Sequence, residues 1–97
     1  MGLHIDSIEY YLPEKIVTNS DLESENPSWK MEEMALKTGV LQRHIAAENE
    51  TSFDLAVAAC NKLFQNTGYE RDMIDGIIFC TQSPDYIMPS NAFLLHK

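Results

Sequence analysis

The sequence predicts an α/β fold, and three observations carry the prediction. Residues 77–80, Ile-Ile-Phe-Cys, are apolar without alternation, the pattern of a strand buried on both faces within a parallel sheet. Residues 52–67 place Phe53, Ala56, Val57, Cys60, Leu63 and Phe64 at helical intervals, so a strong amphipathic helix runs just ahead of that strand. The loop that follows, residues 82–90, leaves the carboxyl end of the strand, where open α/β sheets place their ligand sites. Helix and buried strand together make half of an α/β layer arrangement.

In chain order, Leu3, Ile5, Ile8, Tyr10, Tyr11 and Leu12 make a strand that Pro13-Glu14 closes. Asn19 or Ser20 is positioned to cap a short helical turn through residues 21–23. Ser28 is the better N-cap for a helix running to about Thr38, with Trp29, Met31, Met34, Ala35 and Thr38 as its interior and Glu32 and Glu33 outside. Gly39 ends it. Residues 40–47 alternate poorly and predict a loop with a short extended piece. Thr51-Ser52-Phe53-Asp54 has the spacing of a helix start, and Gly68 terminates that helix after Thr67. Residues 72–75 are a polar approach to the apolar strand of residues 74–81. Pro89, Ser90, Asn91 and Ala92 open a further helix that the chain has just entered when it stops.

Composition narrows the function classes. A chain of 97 residues is one small domain, and at that size it buries roughly 60 to 70% of its unfolded surface. The apolar fraction of 44% indicates a globular protein. A net charge of −8 repels nucleic acid and anionic membrane surfaces. Cys60 and Cys80 have no metal-type spacing and are expected to be buried packing residues, which favours a reducing compartment. The amino terminus lacks the apolar segment of a signal peptide and no run reaches membrane-spanning length, so a cytoplasmic location is expected. The Asn49-Glu50-Thr51 sequon is discounted on the same ground.

Several short motifs in order then carry a family resemblance. Tyr11-Leu12-Pro13-Glu14, Val17-Thr18-Asn19 with Asp21-Leu22, Lys37-Thr38-Gly39-Val40, Arg43-His44-Ile45-Ala46-Ala47, Asn49-Glu50-Thr51, Thr81-Gln82-Ser83 and Pro89-Ser90 together resemble the amino-terminal part of β-ketoacyl-acyl-carrier-protein synthase III. The likeness runs from near Ile5 to near Ala92, and the order and spacing are more specific than any single motif. Ser7 and Glu9 stand where that family often has glycine, which points to a divergent branch.

The resemblance implies a thiolase-like layered α/β/α fold, with residues 1–97 as the amino-terminal part of its first half, truncated inside a helix. It implies an acyltransferase, usually a homodimer, that condenses an acyl group from coenzyme A with malonyl-acyl carrier protein and releases carbon dioxide. It implies no cofactor and no metal. The family's cysteine nucleophile, histidine and asparagine align beyond Lys97, so no catalytic residue is assigned and these residues alone should be inactive. Cys60 in mid-helix and Cys80 in a strand are not at a helix amino terminus, where a thiolate is favoured. His44 is implied to be structural, hydrogen-bonding a neighbouring loop. The other possibility for the chain is a stand-alone interaction domain whose likeness to the synthase is ancestral.

Three residues are implied to bind substrate. Lys37 and Thr38 match the segment at the coenzyme A entrance, where a cation meets phosphate and a hydroxyl bonds the ligand. Lys37 is equally placed to be a solvated cation in the last turn of its helix. The family's adenine-stacking tryptophan stands one helical turn before the basic residue, whereas Trp29 stands two turns before Lys37, ~12 Å along a helix. That role is therefore not carried over to Trp29. Met88 matches the large apolar residue at the dimer interface that reaches the partner's acyl pocket, and it fits equally as an ordinary packing methionine.

Overall fold

The computed structural model describes residues 2–97. Its elements in order are β1 (Lys15–Thr18), α1 (Asn19–Glu25), α2 (Met31–Thr38), β2 (Gln42–Ile45), α3 (Ser52–Thr67), a 3-10 turn (Arg71–Met73) and α4 (Asn91–His96). They fall into two compact units, Leu12–Asn49 and a second made of residues 2–11 with Glu50–Lys97. Helices with a small sheet make this a partial α/β fold, in agreement with the sequence.

In the unit Leu12–Asn49, β1 and β2 pair antiparallel with Lys15 opposite Ile45 and Thr18 opposite Gln42. The sequence hid β1, because the chain re-extends after Pro13-Glu14 through the β-branched residues Ile16, Val17 and Thr18. The short extended piece expected in residues 40–47 is its partner. Arg43 ties the turn together by donating to the Val17 carbonyl at 3.2 Å and to Asn19 Oδ1 at 2.5 Å. Asn19 donates in turn to the Val40 carbonyl at 3.0 Å, so it is not free to cap α1. Thr18 is the cap instead: its hydroxyl accepts from the Asp21 amide at 3.2 Å while the Asp21 carboxylate accepts from the Thr18 amide at 2.8 Å. The His44 ring bonds the carbonyl of the buried Pro13 at 2.5 Å, the structural role the resemblance implied.

Helix α2 starts at Met31, two residues later than a Ser28 cap would start it, with Lys30 as an N-cap that makes no side-chain bond. Its expected interior is corrected as well. Met31 is buried and Ala35, one turn on, is half-buried, but Trp29 is 50% exposed and Met34 and Thr38 lie outside. Gly39 closes the helix at φ 73°, a left-handed conformation in which a side chain is strained.

In the second unit, α3 has the bounds read from the sequence, a Thr51–Asp54 capping box at its start and Gly68 at φ 74° after its end. Residues 2–11 run beside it without pairing to a strand. Glu9 and Tyr10 fix them to α3: the Glu9 carboxylate accepts from Asn66 at 2.8 Å and lies 3.4 Å from the Lys62 ammonium, which donates to the Tyr10 carbonyl at 3.2 Å and sits 4.9 Å over the Tyr10 ring. Glu9 thus does a job that glycine at this position could not.

The buried strand expected at residues 77–80 is corrected. No strand pairs with it among the described residues, and Ile77 and Phe79 are half-buried while Ile78, at 98%, and Cys80 are exposed. Burial with a period of two is the mark of an extended chain covered on one face and bare on the other. The packing role expected for Cys80 fails with it, whereas Cys60 is half-buried in mid-α3. No helix among the described residues is long and apolar enough to cross a membrane.

Candidate functional site

Two places hold the residues singled out in the sequence, one in each unit. In the unit Leu12–Asn49, Lys37 lies in the last turn of α2 and lines a shallow groove of about 380 Å³ with Trp29, Lys30, Met31, Glu33 and Met34. Lys30 is held 3.7 Å from Glu33, while Trp29 presents half of its surface outward. An aromatic face and a lysine in one open groove can take a flat ring and an anionic group together. Trp29 is the residue that helical spacing excluded. With α2 starting at Met31, Trp29 belongs to the lead-in, and the distance counted along a continuous helix does not apply.

Thr38 is absent from that lining. Its hydroxyl donates to the Met34 carbonyl at 2.8 Å and accepts from the Val40 amide at 3.2 Å, which fastens the end of α2 to the turn at Gly39.

The second place is the loop of residues 82–90, which carries Met88. Its base is a network around Asp85 and Asn91. One carboxylate oxygen of Asp85 accepts from the Phe53 backbone amide at 3.2 Å, the Ser52 hydroxyl at 3.3 Å and the Asn91 side-chain amide at 3.3 Å. Asn91 also donates to Ser52 Oγ at 3.1 Å and accepts from the Asp85 backbone amide at 3.1 Å. Ser52 donates to the Ser83 carbonyl at 2.7 Å. Asn91 is 3% exposed, and both its oxygen and its amino group are bonded, which is what makes a buried amide tolerable. The Thr51 hydroxyl, the Phe53 amide, Asn91 and Ser52 hold the Asp85 carboxyl below the ordinary carboxylate range, against partial desolvation.

Above this base, Ile87 is 98% and Met88 83% exposed. The peptide bond between Met88 and Pro89 is cis, and the Ser90 hydroxyl then caps α4 by accepting from the Phe93 amide at 3.4 Å. Asp85, Asn91 and Ser52 went unread in the sequence because Asp85 and Asn91 lie 33 and 39 residues from Ser52. The one local signal was a polar Asn91 directly ahead of the apolar run Ala92, Phe93, Leu94 and Leu95. No group of three or more His, Cys, Asp or Glu that could hold a metal ion occurs among the described residues.

No protein-family model matches the chain. Among curated proteins it is 43% identical over 87 residues to the β-ketoacyl-[acyl-carrier-protein] synthase III of Chlamydia caviae, covering 87% of this chain and 25% of that protein. To the enzyme of the same name from Solibacter usitatus it is 37% identical over 96 residues, covering 96% and 28%. Among solved structures, a crystal structure of a 3-oxoacyl-(acyl-carrier-protein) synthase III superposes with a TM-score of 0.82 at 42% identity, over 93% of this chain and 27% of that one. The β-ketoacyl-[acyl-carrier-protein] synthase III of Thermus thermophilus gives 0.79 at 31% identity, over 91% and 27%. The chain spans about a quarter of the length of the relatives it matches. Along that stretch, sequence and fold agree in making it a relative of β-ketoacyl-[acyl-carrier-protein] synthase III, of the thiolase-like condensing enzymes.

Proposed function

We propose that these residues are the amino-terminal part of a condensing enzyme that joins an acyl group from acyl-coenzyme A to malonyl-acyl carrier protein, giving 3-oxoacyl-acyl carrier protein, carbon dioxide and free coenzyme A. The chain's share is the donor entrance and one wall of the acyl pocket. The observation that carries this is the groove in which Trp29 and Lys37 lie together. The Trp29 ring is available to stack on adenine, and the Lys37 ammonium to meet a phosphate of the donor. Thr38 supports the same wall by fastening the end of α2, and its oxygen keeps one lone pair for a ligand hydrogen bond. Met88, exposed at the crest of its loop, is proposed to line the acyl pocket across a homodimer interface.

The condensation itself needs a cysteine nucleophile, a histidine and an asparagine that the resemblance puts outside residues 1–97. Cys60 lies in the interior of α3 and Cys80 on an extended segment, so neither gains from a helix amino terminus. The likeness to a soluble enzyme family supports a cytoplasmic location. Binding of acyl-coenzyme A to the full-length protein tests the donor site. Lys37→Ala should weaken binding by about 1 kcal/mol if the ammonium meets phosphate. Unchanged affinity would reduce Lys37 to a solvated helix end.

A further inference from the structure

We infer that Asp85, Asn91 and Ser52 form a positioning device that fixes where Met88 stands and so sets which acyl groups the enzyme accepts. The inference rests on the proposed role of Met88 in the acyl pocket. Met88 has nothing of its own to hold it: it is 83% exposed, follows an equally bare Ile87, and belongs to no helix or strand. A methionine with three rotatable bonds on a free loop would make a wall of no defined position. What the loop does have is an anchored base.

That base is tied at both ends. At its amino end, the Ser83 carbonyl accepts from Ser52; in the middle, the Asp85 carboxylate takes the Phe53 amide, near the start of α3; at its carboxyl end, the buried Asn91 grips Asp85 through both its side-chain amide and its side-chain oxygen. Met88 sits on the span between Asp85 and Asn91, six residues apart and bonded to each other, so its backbone belongs to a closed loop fixed to the sixteen-residue helix α3. Closing so short a span removes most of its freedom at small entropic cost. Asp85 and Asn91 are positioning residues: they touch neither donor nor acceptor, and act through Met88.

The test compares acyl donors of increasing length and hydrogen exchange of residues 82–90 in the full-length protein. Asn91→Ala and Asp85→Ala should speed exchange of that segment about tenfold. They should also shift kcat/KM towards longer donors, relative to the shortest, by about threefold or more. Asp85→Asn keeps a carbonyl oxygen on the same three donors and should leave both readouts within about twofold of the parent. Met88→Ala should move the donor profile alone. If Asn91→Ala fails to fold, Ser52→Ala, which frees only the Ser83 tie and its bonds to Asp85 and Asn91, replaces it with the same expectation. A donor profile moved by Met88→Ala but not by the network variants overturns the positioning role and leaves that of Met88 standing. Unchanged exchange in the network variants overturns it too, whatever the profile does. A profile unmoved in every variant overturns both.

Discussion

Removing the ring of Trp29 should cost the donor site more than removing the charge of Lys37. Trp29 is 50% exposed, so its uncovered surface is available to a base without any rearrangement of α2. A tryptophan offers 150–250 Å² in all, and covering one free face of roughly 60 to 120 Å² contributes about 1.5 to 3 kcal/mol. Alanine substitutions at base-stacking aromatics fall in the same range, about 1 to 3 kcal/mol. Trp29→Ala should therefore weaken coenzyme A binding by roughly 10- to 100-fold, while Trp29→Phe keeps a face and recovers part of the loss. Titration calorimetry of the full-length protein with coenzyme A measures it. The ring and the ammonium are expected to meet different parts of the ligand, so Trp29→Ala and Lys37→Ala should add to within about 0.5 kcal/mol. Because half of Trp29 is already in water, folding stability should fall by about 1 kcal/mol or less, which a urea titration checks. Affinity within twofold of the parent in Trp29→Ala would refute the stacking role and leave Lys37 alone to carry the donor reading of the groove.

Two further outcomes are expected. Ile78, Ile87 and Met88 leave apolar surface bare, so residues 1–97 on their own should self-associate in sedimentation runs, and Met88→Asp should dissociate the assembly or make it insoluble; a stable monomer at high concentration would favour a stand-alone domain instead. In acid, Glu9, held low by Asn66, Asp21, held low by the Thr18 amide, and Asp85, held low by the Thr51 hydroxyl, all have folded values below their unfolded ones. Their contribution is therefore fully present above about pH 4 to 5 and is lost as pH falls through the lowered values, so thermal melts should be flat above about pH 5 and drop below about pH 4. A midpoint that rises on acidification would contradict that assignment.

How much of this was legible in the sequence depended on distance along the chain. Helix α3 was readable to the residue because its cap, apolar stripe and terminating glycine are all local. Strand β1 was not, because its partner lies 24 to 30 residues on and neither four-residue strand has a distinctive pattern alone. The apolar run at residues 77–80 misled, because its unbroken apolar character implied cover on both faces, whereas Ile78 and Cys80 are exposed and only Ile77 and Phe79 are half-buried. At the candidate site, Lys37 and Met88 came from motif position, whereas Trp29 was set aside by a helix boundary that proved two residues too early. The Asp85–Asn91–Ser52 network needs a turn of chain that no spacing rule describes.

The central claim is that these residues serve a condensing enzyme without supplying its nucleophile. Mass spectrometry after incubation with acyl-coenzyme A tests it most directly, on residues 1–97 and on the full-length protein side by side. The shorter chain should carry no acyl group, and the full-length protein should carry one as a thioester outside residues 1–97. A stable thioester on Cys60 or Cys80 would contradict the claim.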